Sequence, residues 1–182
     1  MGVYSPVPFA TQDALDEIDR SILHPTFDGL KREGVMITPQ GPKVIEYNVR
    51  FGDPETQSAM VLLSEDTDLA AVLLACTSGN LGQVNLSIRS GFACNVVVAS
   101  QGYPWKYVTR VPITLQTYPK NVQVFHAGTF RDKNGCLRTG GGRVFSVAAW
   151  GGTLQEAVEA AYEGTKSVHF DGMFSRKDIA SR

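Results

Sequence analysis

Apolar and polar positions change their period near the middle of the chain, and that change predicts two structural units. Leu15, Ile18 and Ile22 recur at helical spacing behind Thr11, so a helix capped by Thr11 is expected to lay one face on a core. Asp13, Asp16 and Glu17 sit near its positive end, where acidic side chains are favoured. Pro25 interrupts the helix, and the spacing of Phe27 and Leu30 lets it resume until Gly34 stops it. The apolar run 35–37 leads into Thr38-Pro39-Gln40-Gly41-Pro42, which is turn chemistry and predicts a hairpin. Residues 43–51 then alternate as a strand. Asp53-Pro54 predicts a new helix, with aspartate as cap and proline in the first position. Residues 69–76 form a second apolar helix, capped by Asp66 or Thr67 and stopped near Gly79.

Between 79 and 91 polarity rises and periodicity fades, which places a boundary there and divides the chain into 1–84 and 85–182. Beyond it, strands are expected at 92–99, 122–130 and 143–149, with turns at Gly102-Tyr103-Pro104 and Asn134-Gly135. Thr153-Leu154-Gln155-Glu156 is a capping box, and its helix should turn Leu154, Ala157, Val158, Ala161 and Tyr162 inward. Residues 167–171 read as a last strand. The fold class is α+β, with an antiparallel sheet crossed by one long helix.

Composition narrows the function classes more than it names one. Hydrophobic residues make up 43% of the chain and charged residues 19%, so a packed core is expected rather than disorder. A net charge of -1 gives no electrostatic reason to expect nucleic acid or an anionic membrane as partner. No apolar run approaches the ~20 residues that span a bilayer. The opening residues lack the basic flank and apolar core of a secretory signal, and Pro6 breaks the myristoylation pattern. Cys76, Cys94 and Cys136 show no metal-ligand spacing and read as thiols in a reducing compartment, so a cytoplasmic location is expected.

The candidate chemistry lies in the strand 43–51. Residues two apart on a strand share a face, which would align Glu46, Asn48 and Arg50 about 7 Å apart, with Ile45, Tyr47, Val49 and Phe51 opposite. A carboxylate and an amide oxygen are hard ligands suited to magnesium, which commonly keeps waters and phosphate oxygens as its other ligands. A guanidinium one step further can hold a transferring phosphoryl group or an acyl phosphate. Gly52 lets the backbone turn, and the next helix N-terminus presents free N–H groups suited to an anion. A polar face on an ordinary surface strand would give the same three residues.

The continuation, Phe51-Gly52-Asp53-Pro54-Glu55-Thr56-Gln57, carries the decision. Glu-x-Asn-x-Arg resembles the metal strand of ATP-grasp ligases, the group that includes biotin carboxylase. The longer string resembles the glycinamide ribonucleotide synthetase (phosphoribosylamine–glycine ligase) family. Met1-Gly2-Val3-Tyr4-Ser5-Pro6 looks like the end of that family's Gly-Gly-Met-Gly-x-Tyr-Ser-Pro motif. Phe125-His126-Ala127-Gly128-Thr129, Gly141-Gly142-Arg143-Val144 and Arg176-Lys177-Asp178-Ile179 look like its carboxy-terminal domain. The resemblance implies the end of an ATP-grasp core over 1–84, followed by a small, mainly antiparallel sheet domain with a covering helix. It implies Glu46 and Asn48 as Mg2+ or Mn2+ ligands, and Arg50 and Asp53 in the glycine and acyl-phosphate site. ATP is the implied co-substrate, with glycine and 5-phosphoribosylamine as partners in making glycinamide ribonucleotide for purines. It leaves open whether the parent is a stand-alone ligase or one part of a multifunctional purine enzyme.

Two departures from the family pattern matter. The chain begins inside a motif, so the amino-terminal domain, the ATP lid and much of the core are expected upstream. Gly34 also runs straight into Val35, where the family places a further strand, whose loss would deprive the metal strand of a neighbour and leave an exposed edge. The isolated chain is therefore expected to be inactive or nearly so. The alternatives are a non-catalytic remnant acting as an interaction module, or another ATP-grasp ligase such as a biotin-type carboxylase. Gly140-Gly141-Gly142 lacks the Lys-Ser or Lys-Thr of a phosphate loop and reads as a tight turn. His24, His126 and His169 read as structural. Trp105 and Tyr107 read as ordinary packing rather than a base-stacking platform.

Overall fold

Among the described residues, β4 (Phe92–Ser100) and β9 (Arg143–Gly151) are long strands buried almost throughout, and the larger part of the fold is built around their pairing. The computed structural model describes residues 1–24, 33–47 and 50–181, with side chains left out at 33–37 and 46–47. The chain forms two compact units, 1–6 with 54–182, and 7–53.

In the larger unit, β4 and β9 pair antiparallel from Phe92 opposite Gly151 to Ala99 opposite Arg143. β6 (Val122–His126) extends the sheet beyond β9. The other edge of β4 is shared by β1 (Gly2–Ser5), opposite Ala93–Val96, and β11 (Met173–Phe174), opposite Ala99 and Ser100. Two short ribbons complete the strand set. β5 (Thr114–Leu115) pairs with β10 (Val168–His169), and β7 (Thr129–Arg131) pairs with β8 (Leu137–Thr139).

Both faces of the sheet are covered, which explains why β4 reads as a nearly continuous Val/Ala run instead of alternating. Helix α4 (Leu154–Thr165) lies on one face. It starts as the sequence predicts: Thr153 Oγ1 accepts from the Glu156 amide and Glu156 accepts from the Thr153 amide. Such a cap contributes about 1 kcal/mol. Ala157 and Ala161 are fully buried against the sheet, while Leu154, Val158 and Tyr162 are half-buried. At Gly164 a Cβ would stand 2.6 Å from Val122 Cγ1 and 2.8 Å from Val147 Cγ1, so the close approach of helix to sheet depends on glycine. Helix α2 (Glu55–Leu62) packs on β1, β4 and β9. Its cap position is Pro54 and its first residue Glu55, one later than expected. Helix α3 (Leu69–Ser78) is capped by Asp68, whose side chain accepts from the Ala71 amide, not by Asp66 or Thr67. Thr67 instead bonds the backbone of Ser87 in both directions. Gly79 ends α3 in the left-handed conformation, at φ 72°, as expected.

The smaller unit holds α1 (Gln12–Ile18), continued by a π-helical turn at Asp19–Leu23, and a hairpin of β2 (Glu33–Thr38) and β3 (Gly41–Tyr47). Thr11 caps α1 by accepting from Ala14 N at 3.2 Å. Of the three residues expected inward, Ile22 is buried and Ile18 half-buried, but Leu15 is 46% exposed. Gly34 lies within β2 and does not end a helix; the expected resumption through Phe27 and Leu30 lies outside the described residues. The strand expected at 122–130 is divided at Ala127-Gly128 into β6 and β7, and Asn134-Gly135 turns β7 into β8, a strand too short to read from pattern.

Cys94 is completely buried, and burial pushes its thiol up to about 12, whereas Cys76 and Cys136 are exposed. At pH 8 a thiol reagent should modify Cys76 and Cys136 quickly and reach Cys94 only on unfolding, as mass mapping can verify. Because the folded value lies above the ordinary one, the associated stability is fully present below about pH 9 and is lost as pH rises toward 12.

Candidate functional site

The segment 41–55 carries all four candidate residues, and its geometry begins with the hairpin. Thr38 and Gly41 close the turn: Thr38 Oγ1 donates to Gly41 O at 2.7 Å and accepts from Gln40 N at 3.2 Å. Pairing runs back from Thr38 opposite Gly41 to Val35 opposite Val44, then skips one residue, so that Gly34 faces Glu46 and Glu33 faces Tyr47. Ile45 is the extra residue of this bulge. A bulge changes which way successive side chains leave the strand, and here it falls directly before Glu46.

Glu46 is thus the penultimate residue of β3, on a strand that does have a hydrogen-bonded neighbour in β2. Its side chain is not described, and Asn48 lies outside the described residues. β3 is described as far as Tyr47, and the expected continuation through Asn48 and Val49 lies outside the described residues. Arg50 sits in an exposed bend, so the two-residue period and its ~7 Å spacing do not extend to it. Its Nη1 donates to the neighbouring Phe51 carbonyl at 3.4 Å. Asp53 is exposed, directly before Pro54. Of the residues expected on the half-buried face, Ile45 is 62% and Phe51 50% exposed, and the side chains of Tyr47 and Val49 lie outside those described. A two-stranded ribbon has too little surface to cover one face. Among the described residues no three His, Cys, Asp or Glu side chains cluster as a metal cage.

The glycine motifs of the larger unit serve close packing. Gly128 N donates to Arg143 O at 2.8 Å and Gly140 N donates to Gly128 O at 2.6 Å, which stitches two glycine segments together. A Cβ on Gly128 would lie 2.6 Å from Arg143 O and 2.7 Å from Gly141 Cα. A Cβ on Gly142 would meet the Tyr103 ring at 2.3 Å. Tyr107 packs near Tyr103 and Gly142 as expected of packing, but Trp105 is almost fully exposed.

His126 Nδ1 lies 2.9 Å from Thr129 Oγ1, and its ring meets Phe145 edge-on, which is a structural role. His24 pairs with Asp19 at 3.3 Å, and His169 lies on the β10 ribbon. Sequence reasoning passed over Arg110, which holds a left-handed φ of 66° that glycine adopts more easily. Arg110 N donates to Thr139 O, its carbonyl accepts from Arg138 Nη1, and its guanidinium lies over Phe130. Arg138 also binds Asp132 at 2.5 Å and holds that carboxyl below its usual range. No residue-type pattern announces such a position, because the signal is a backbone angle.

Comparison with known proteins places these features in one family. The model described as phosphoribosylglycinamide synthetase, ATP-grasp (A) domain, matches residues 1–56, and the one described as its C domain matches 93–182. The bifunctional purine biosynthetic protein ADE1 of Schizosaccharomyces pombe is 46% identical over 99% of this chain and 24% of its own length. A phosphoribosylamine–glycine ligase of Synechocystis is 42% identical over the whole chain and 46% of its own length. The crystal structure of the Thermotoga maritima phosphoribosylamine–glycine ligase superposes with a TM-score of 0.72 at 32% identity, over 98% of this chain and 46% of that one. The biotin carboxylase subunit of pyruvate carboxylase superposes at 0.64 with 14% identity, which shows a shared fold alone. The chain spans under half the length of these relatives. The Synechocystis alignment runs over 196 positions against 182 residues, so that relative carries residues with no counterpart here.

Gly128→Ala meets backbone and cannot be relieved, whereas Gly142→Ala meets an aromatic ring that can swing. Gly128→Ala should cost about 3 kcal/mol and Gly142→Ala about 1 kcal/mol, read as urea midpoints at constant slope.

Proposed function

Because the chain belongs to the phosphoribosylglycinamide synthetase family, with sequence of both its ATP-grasp and C domains, we propose that it carries part of a phosphoribosylamine–glycine ligase. In that reaction a carboxylate oxygen of glycine attacks the terminal phosphorus of ATP, the bond to ADP breaks, and glycyl phosphate forms. The amine of 5-phosphoribosylamine then attacks the acyl carbon, phosphate leaves with the carbon–oxygen bond, and the amine loses a proton to give glycinamide ribonucleotide.

Glu46 and Asn48 would hold Mg2+ or Mn2+. The donor set fits a hard cation with two protein oxygens and phosphate oxygens as further ligands. The bound cation would supply charge neutralisation at phosphate oxygens. Arg50, in its exposed bend, would hold phosphoryl oxygens, and Asp53 would pair the ammonium group of glycine. Most of the help such a reaction needs is positioning and charge stabilisation, which these groups supply. The observation that carries the reading is the order Glu46, Asn48, Arg50, Asp53 running from a hairpin strand into the start of α2, in a chain matched from end to end by these ligases. The domain division at 84/85 and a cytoplasmic location belong to the same proposal. No described helix is long and apolar enough to cross a membrane.

A second reading, a non-catalytic interaction module, is favoured by α3, which exposes Leu73 and Leu74. Sedimentation of the chain with a complete ligase separates the two readings. For the catalytic reading, the expected result is that the isolated chain releases ADP at background rate with ATP, glycine and 5-phosphoribosylamine, since the relatives are more than twice its length. Robust turnover needing both substrates would overturn the statement that the chain is only part of the site.

A further inference from the structure

Among the buried described residues Asn95 is the only amide side chain, at 0% exposure in the middle of β4. Its Nδ2 donates to the Pro54 carbonyl at 2.8 Å and lies 3.3 Å from Ser146 Oγ. Its Oδ1 accepts no hydrogen bond. A buried amide favours the fold only through the hydrogen bonds it makes, and here those run from its nitrogen. The neighbouring residues of β4 are Ala93, Cys94, Val96 and Val97, all buried and apolar, so this layer has no need of an amide for cohesion. Asn95 does hold the carbonyl at the cap position of α2, in the residue that follows Asp53. Fixing that group fixes the direction in which the chain enters the helix. Ser58, one turn further along α2, is buried on the same helix.

We propose that Asn95 is a positioning residue for the Gly52-Asp53-Pro54-Glu55 motif. It ties the end of the motif to the central strand of the sheet and sets the start of α2. Its functional meaning rests on the assignment of Arg50 and Asp53 to the acyl-phosphate site, but the tie itself can be tested without it.

The test compares Asn95→Leu and Asn95→Thr with the unaltered 182-residue chain by amide hydrogen exchange and urea unfolding. Leucine keeps the branched side-chain shape and removes the donor, whereas threonine keeps a hydroxyl donor. Asn95→Leu should speed exchange of amides 58–62 by about tenfold relative to those of β4 and β9, whatever the common shift in urea midpoint. Asn95→Thr should restore most of the protection. Unchanged exchange at 58–62, or a rise shared equally by β4 and β9, would overturn the proposal. Should Asn95→Leu fail to fold, Asn95→Val, which has the shape of Asn95→Thr without its donor, is read against Asn95→Thr by the same criterion and decides. These outcomes do not depend on ligase activity, so failure of the ligase reading would appear separately, in assays of the unaltered chain.

Discussion

The β4–β9 ladder is the constraint on which the larger unit depends. Its register sets Val96 against Val147 and Val98 against Phe145 on one face, and Asn95 against Ala148 and Val97 against Ser146 on the other. The first set meets α4 through Ala157, Ala161 and Gly164. The second lies with Asn95 and Ser146, whose amide reaches back to Pro54. A slip of one residue would exchange the two sets, turning Asn95 toward the apolar helix and valines toward Pro54. Truncating Phe145, fully buried in this ladder, belongs to a class of change that costs about 3–5 kcal/mol.

The candidate chemistry lies on a slighter scaffold. A hairpin of two strands carries Glu46 near its end, and Ile45 within it and Phe51 beyond it are exposed. A bulge at Ile45 directly precedes Glu46, which pairs with Gly34, and Arg50 sits in a bend. Catalytic constellations gain precision from neighbours that lock them, and the proposed account gives these neighbours to the rest of the ligase.

Much of the larger unit was legible because it obeys strong local rules. The Thr153–Glu156 box, the Gly79 stop and the Val-rich strands each carry their own physical signal. The misses have equally local causes. Leu15 keeps helical spacing but is exposed, since periodicity shows which residues share a face and not what covers it. Asp68 displaced Asp66 and Thr67 as cap because three candidate caps stand within three residues and tertiary contact with Ser87 occupies Thr67. The strand expected to run through Arg50 meets a bend there, which alternation in sequence does not announce. Of the site, the residue types and their order were legible, whereas the bulge and the bend carry no residue-type signal and the Asn95 tie joins segments 41 residues apart.

The central functional claim is that this chain holds the metal end of a ligase site. Manganese binding to the 182-residue chain, followed by electron paramagnetic resonance with and without ADP, tests it most directly. The account predicts saturable binding that Glu46→Gln and Asn48→Ala each weaken by about tenfold or more, with far-UV spectra unchanged. Binding that is absent, or that survives both substitutions, would contradict it.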